Sequence, residues 1–221
     1  MFVGHFAVAL AAKRVQPRLS LALLFAAVQL ADILWPVFIL LGIEHARIVP
    51  GLLPASSLDL YDFPYSHSLL TSLLWSALLA LPWLFRRRWS EATVVALCVF
   101  SHFVLDLVSH QPDMPLAPGS QVKLGLGLWH SIPATIVVEG GLWVVALAYY
   151  ASASRPTRRL GSLGFWITVV LLTVVWLGGM FGTPPRDIGP VVLSALGFMV
   201  LLLPWMAVVD RARPLAARPG R

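Results

Sequence analysis

The chain has 221 residues, of which 58% are hydrophobic and only 12% charged. Soluble domains are nearer half apolar and a quarter charged, so that class is excluded and a polytopic membrane protein is expected. The net charge of +6 at pH 7 does not point to nucleic acid, because no solvated basic face with aromatic or groove-reading elements accompanies it.

The first twelve residues, MFVGHFAVALAA, are apolar but too short to span a bilayer. They lack the order of a signal peptide, since the basic residues follow the apolar stretch and no small-residue cleavage site closes it. A short helix is expected here, entering the membrane from the cytoplasmic side or packing into a bundle. Apolar windows of roughly twenty residues then fall near 19–43, 67–85, 91–110, 131–151, 162–183 and 190–209. They predict an all-α bundle of six transmembrane helices in one domain, residues 1–210, followed by a basic tail, 211–221. Pro36, Pro82 and Gly140-Gly141 lie in or near spans, where kinks and close helix contacts are the ordinary reading. The single cysteine, Cys98, excludes an intrachain disulfide and a Cys-rich zinc cluster.

Basic residues alternate between connections. Lys13, Arg14 and Arg18 precede the first long span, Arg86 to Arg88 follow the second, Arg155, Arg158 and Arg159 follow the fourth, and the tail holds four more arginines. The positive-inside rule assigns these connections, and both ends of the six-span bundle, to the cytoplasm. Short loops with this bias suit a bacterial inner membrane. The opposite connections, 44–66 and 111–130, are longer and richer in Pro, Gly and Asp. Trp89 and Trp129 fit interfacial positions, and the glycines of GLGLW, 125–129, fit a loop or an entry to a site, because the Lys and Ser/Thr of a phosphate loop are missing.

Ionisable residues inside apolar spans cost a few kcal/mol each even on lenient insertion scales, so they normally face protein or water and mark a site. Asp32 lies in the first long span, His102 and Asp106 in the third and Glu139 in the fourth, with His5 in the N-terminal segment and His67, His110 and His130 at span ends. His102, Asp106 and His110 follow at four-residue steps, which confines them to one narrow helical face. At a rise of about 1.5 Å per residue, His102 and Glu139 come out roughly 12 Å deep, Asp106 about half that, and Asp32 about 15–18 Å. These depths overlap, so the groups can share one cavity on the non-cytoplasmic side. Three readings of the face fit: a metal site, a proton or ion relay, or a hydrogen-bonded polar network. Imidazole with carboxylate is a typical donor set for Zn²⁺ and related ions, and the cation would neutralise the buried carboxylates. The last two spans hold no internal ionisable residue and are expected to complete the bundle.

The segments GHFAVALAAKR, QLADILWP, YDFPYSHSLL and FSHFVLDLVSHQPDMPLAPG, continued by GLGLWHSIPATIVVEGG, resemble the YdjM-like membrane-bound proteins described as metal-dependent hydrolases. That family is similar to the all-helical zinc-dependent phospholipase C and single-strand nuclease superfamily, which also uses H-x-x-x-D. The resemblance implies His5, Asp32, His67, His102 and Asp106 as metal-site residues. Two departures reduce the donor set: Leu34 stands where relatives carry a second acid, and YDFPYSHS lacks the upstream His-Arg pair. One ion is therefore expected rather than a multinuclear centre.

If the site is catalytic, three protein ligands leave a position for water and lower its pKa toward neutrality. Asp32, His102 and Asp106 are the preferred ligands, with His5 or His67 completing the set. Glu139 or His110 could take the water's proton, and His67 or His130 could stand near the leaving group. The expected substrate is a lipid-like phosphoester, or another ester or amide, drawn from the surrounding lipids. The rival expectation is a proton- or ion-coupled transporter using the same carboxylates and histidines. A non-catalytic membrane partner with a vestigial metal site is the third.

Overall fold

A computed structural model describes residues 1–216; the last five residues of the predicted basic tail lie outside the described residues. Helices dominate. In chain order they are α1 (Val3–Val15), α2 (Leu21–Val28) and α3 (Leu30–Leu40), then strands β1 (His45–Leu53) and β2 (Ser56–Asp62), then α4 (Pro64–His67), α5 (Leu69–Phe85) and α6 (Trp89–Ser109). The short strands β3 (Met114–Pro115) and β4 (Lys123–Leu124) precede α7 (Ile132–Thr135), a π turn over Ile136–Gly140, α8 (Gly141–Ala153), α9 (Arg159–Phe181) and α10 (Ile188–Ala212).

Four helical segments are long and apolar enough to cross a membrane: α6, the α7-to-α8 segment, α9 and α10. The pair α2 and α3 would be a fifth crossing, bent by 56° at Gln29, and α5 is a shorter apolar helix of 17 residues. Each of the six predicted apolar windows therefore coincides with helix, while the number of crossings shown by length and composition is four or five. Outward faces carry large apolar side chains, among them Leu70, Leu74, Val144, Ile167, Val174, Val200 and Leu201. A water-facing surface avoids such contiguous apolar area, so this pattern is compatible with a membrane location.

The N-terminal helix is the centre of the molecule. Val3, Phe6, Ala9 and Leu10 of α1 are buried against α2, α6 and α8, so the segment packs into the bundle. At the end of α1, Lys13 donates to the carbonyls of Pro17 and Leu19 and pairs with Asp210 of α10 at 3.0 Å, with both side chains almost wholly buried. The start of the predicted tail also packs. Arg213 bonds Ser154 Oγ at 2.8 Å and lies over the Phe165 ring, and Ala216 N–H reaches the Ala153 carbonyl.

The connection 44–66, expected as a loop, forms an antiparallel hairpin. Arg47 pairs with Asp59 at 2.7 Å and His45 with Asp62 at 2.8 Å across the strands. On β1 the inward Ala46 alternates with His45 and Arg47, the period-two pattern of a strand packed on one face, while a register shift on β2 puts two residues, inward Leu60 and outward Tyr61, between Asp59 and Asp62. Ala55 N–H bonds the Trp129 carbonyl, which joins the hairpin tip to the loop before α7.

Candidate metal centre

The first histidine meets the backbone at the bend at Gln29. No proline occupies residues 21–32, and Pro36 lies a full turn and more beyond the bend. Instead the His102 ring reaches across from α6, and its Nδ1 meets the carbonyl of Val28, the last residue of α2, at 2.7 Å. A side chain inserted into the backbone ladder is an established cause of helix bending, and the last carbonyls of a helix lack intrahelical partners. A carbonyl only accepts, so Nδ1 carries a hydrogen and Nε2 is the atom presented to the site.

The second histidine is set by α4. Ser66 Oγ lies 2.7 Å from His67 Nδ1 and 2.7 Å from a Glu44 carboxylate oxygen. His67 Nε2 then points at His102 Nε2, 3.3 Å away. Asp32 Oδ1 stands 3.5 Å from His67 Nε2 and 3.7 Å from His102 Nε2; Asp106 Oδ2 stands 3.7 Å and 3.0 Å from the same two atoms. Two triangles of donors thus share the His67–His102 edge, one closed by each carboxylate. A tetrahedral zinc shell with bonds of about 2.0–2.1 Å has edges of about 3.3–3.4 Å; the Asp106 triangle, 3.0–3.7 Å, brackets that value, and the Asp32 triangle, 3.3–3.7 Å, lies at or slightly above it.

Charge leads to the same place. Two imidazole nitrogens and two carboxylate oxygens converge, and the carboxylates together carry two negative charges. Burying them is costly unless positive charge sits among them, supplied by protons on the rings or by one divalent cation. The groups His5–His102–Asp106 and Asp32–His67–His102 each place three donor atoms close enough to hold a metal ion. Because His102 Nδ1 is taken by Val28, that residue offers one nitrogen, and the two groups compete for it.

His5 is brought to the cluster in a different way. Its ring stacks on His102, centroids 3.9 Å apart and planes 4° off parallel, and its Nε2 lies 3.1 Å from Asp106 Oδ1. Ligation occurs in the plane of an imidazole, so two parallel stacked rings do not aim at a common point. The geometry makes His5 the partner of the Asp106 oxygen turned away from the His67–His102 edge. The Met1 amino group contacts the same Oδ1. His5 Nδ1 is buried without a partner among the described residues.

His110 closes the far side of Asp106. Its Nδ1 is 3.0 Å from Asp113, which leaves Nε2 facing Asp106 Oδ2 at 3.8 Å. The ring is held between Phe63 and Trp129, the latter with centroids 4.5 Å apart. Trp129 is fixed in turn by the loop before it, where Leu126 and Gly127 N–H groups bond the Leu107 and His110 carbonyls. A Cβ at Gly125 would lie 2.0 Å from the Gln111 carbonyl oxygen, so glycine is what lets this loop close onto the end of α6.

Glu139 lies in the π turn, a distortion that often accompanies functional sites. One of its oxygens accepts the Phe2 and Gly4 N–H groups at the start of α1, and the other accepts Trp176 Nε1 at 3.0 Å. These are the contacts of an anchor for α1 and α9, placing a negative charge at a helix N-terminus where it is stabilising. His130 is exposed, bonds the Gly127 carbonyl at 3.0 Å and is not among the residues lining the cavity.

Asp32, His67, Asp106, His110 and Glu139 are among the residues lining a cavity of about 570 Å³. Much of the remaining lining is apolar and comes from the hairpin and from α9 and α10, including Ile48, Leu58, Val175, Met180 and Phe198. Asp32 is the open edge of the cluster, its side chain 34% exposed against 2–4% for His67, His102 and Asp106. Gln29 also lines the cavity, with both amide atoms buried and unpartnered among the described residues.

Sequence reasoning missed Glu44, Ser66, Asp113 and Trp176, all of which act on the candidate residues rather than standing among them. Asp113, three residues from His110, and Ser66, the chain neighbour of His67, had a local signal; Glu44 and Trp176 had none. No family model, curated protein or solved structure matches the chain.

Proposed function

We propose that the protein is a membrane-embedded, metal-dependent hydrolase of lipid-like esters, with a phosphoester as the leading substrate class. The observation that supports this most is the His67–His102 edge with its two flanking carboxylates, of which His67, Asp32 and Asp106 line a cavity whose remaining lining is mostly apolar. His67, His102 and Asp106 would hold the ion, with Asp32 completing the set or facing the substrate. Zinc suits a mixed imidazole and carboxylate set at this spacing. Once bound, a divalent ion supplies Lewis acidity toward an ester oxygen and makes water a stronger acid.

The chain's own residues supply the rest. Val28 and Ser66 hold the two imidazoles with Nε2 on the site. His5 holds Asp106 by its outer oxygen. His110, its Nδ1 tied to Asp113, has Nε2 free to accept a proton within the cavity. The apolar wall of α9 and α10 would receive hydrocarbon chains while excluding water from the ester. The resemblance to YdjM-like proteins agrees with this reading, and the proposal includes a six-crossing arrangement with the basic connections in the cytoplasm of a bacterial inner membrane. A proton-coupled transporter is the second reading, favoured by one observation: His102 has an acceptor on both nitrogens, Val28 O at 2.7 Å and Asp106 at 3.0 Å, a geometry that also suits a transferable proton.

The test is turnover. The purified protein, reconstituted in phosphatidylglycerol and phosphatidylethanolamine vesicles with Zn²⁺, is expected to release headgroup or lyso-lipid products detectable by mass spectrometry, and Asp106→Asn to abolish them. Proton flux across those vesicles with no product formed would overturn the hydrolase in favour of the transporter.

A further inference from the structure

We propose that Glu44 and Ser66 form a positioning relay that fixes His67 as the Nδ1–H tautomer, keeping its Nε2 lone pair on the His102 edge. Glu44 is fully buried. Its Oε1 accepts the backbone N–H of Tyr65 at 2.7 Å and of Ser66 at 2.8 Å, and its Oε2 accepts the Ser66 hydroxyl at 2.7 Å. A hydroxyl has one hydrogen, and an ionised carboxylate only accepts. The Ser66 hydrogen is therefore directed to Glu44, and Ser66 Oγ faces His67 Nδ1, 2.7 Å away, as an acceptor. Nδ1 must carry the ring hydrogen. Nε2 is left as a lone pair 3.3 Å from His102 Nε2.

Holding the turn of α4 would need only the two backbone bonds to Oε1. The second oxygen is used on the serine, and the serine on the histidine, which is a carboxylate acting on a ring through one intermediary. Carboxylates that orient metal-binding histidines from behind commonly change metal affinity by 10–100-fold when removed. The relay acts on the metal site proposed above, but the tautomer it sets is a property of the metal-free protein and can be read separately.

The experiment compares wild type, Glu44→Gln, Ser66→Ala and Ser66→Thr as full chains in lipid bilayers, with ¹⁵N-labelled histidine. The His67 signal is assigned by its loss in His67→Asn. In metal-free wild type His67 is expected to be protonated at Nδ1 alone. In Glu44→Gln the new amide donates to Ser66 Oγ, the hydroxyl hydrogen turns to Nδ1, and the ring proton moves to Nε2. Zn²⁺ affinity, measured by competition with a chromogenic chelator, is expected to fall 10–100-fold in Glu44→Gln and Ser66→Ala and to stay at the wild-type value in Ser66→Thr. An unchanged His67 tautomer in Glu44→Gln overturns the relay, as does unchanged Zn²⁺ affinity in Ser66→Ala. A tautomer that switches as described in a protein that takes up no Zn²⁺ supports the relay and defeats the metal reading alone.

Discussion

His67 Nε2 and His102 Nε2 face each other at 3.3 Å, and each ring is held from behind through its Nδ1, by Ser66 Oγ and by the Val28 carbonyl. Two such nitrogens at that separation need a proton or a cation between or beside them. With Asp32 and Asp106 on either side of the edge, a divalent ion balances the charge in one step.

The roles of His5 and His102 should separate on that basis. His102→Ala removes half of the shared edge and is expected to abolish stoichiometric metal binding. His5→Ala removes the hydrogen bond to the outer oxygen of Asp106 and the ring stacked on His102 but no atom of the shared edge, and an affinity loss of about tenfold is expected, in the range seen when a ligand's orienting partner is lost. Zn²⁺ competition titrations on the two variants check this; equal losses would place His5 among the ligands.

Glu139→Gln should be a stability variant. The amide oxygen can still accept the Phe2 and Gly4 N–H groups, but the amide nitrogen then confronts Trp176 Nε1, donor against donor. A loss of about 1–3 kcal/mol is expected for one buried polar contact left unsatisfied, with metal content unchanged. Thermal unfolding in detergent together with elemental analysis reads both, and a wild-type unfolding midpoint with lost turnover would make Glu139 a base instead of an anchor.

His110 and His130, equivalent by sequence position at span ends, are expected to differ. His110→Gln should reduce turnover by about 10²–10⁴, the usual contribution of a general base, while metal content is retained. His130→Gln should leave turnover near wild type, since its ring is exposed and bonds a local carbonyl outside the cavity lining. Steady-state rates on the substrate found in vesicles decide between them.

The opposite end of the bundle offers a prediction independent of metal. Lys13→Met leaves Asp210 buried with its charge uncompensated, and a loss of about 3–5 kcal/mol is expected. The double variant Lys13→Met, Asp210→Leu should recover much of it, because a packed apolar pair avoids the cost of an unpaired buried charge. Unfolding midpoints of the single and double variants give the comparison.

Much of this architecture was legible because apolar windows are long-range signals that need no partner: all six windows coincide with helices, and α1 was marked by its length. The convergence of His102, Asp106 and His110 followed from helical geometry alone. The hairpin was not legible, since residues 45–62 mix Pro, Gly and charge, and their pairing depends on Arg47 meeting Asp59 and His45 meeting Asp62. Nor was the bend at Gln29, which arises from a ring more than seventy residues away in the chain. The different standing of the cluster's histidines was hidden for the same reason. It is set by what lies behind each ring, Val28, Ser66 with Glu44, or Asp113, and of these Val28 and Glu44 carry no spacing signal.

The most direct test is the metal content of detergent-purified full-length protein by elemental analysis, alongside Asp106→Ala and His102→Ala at equal folding. About one zinc or similar divalent ion per chain, lost in both variants, is the predicted result. A wild-type protein that stays metal-free after incubation with Zn²⁺, Mn²⁺ and Fe²⁺ would contradict it and leave the His67–His102 edge to protons.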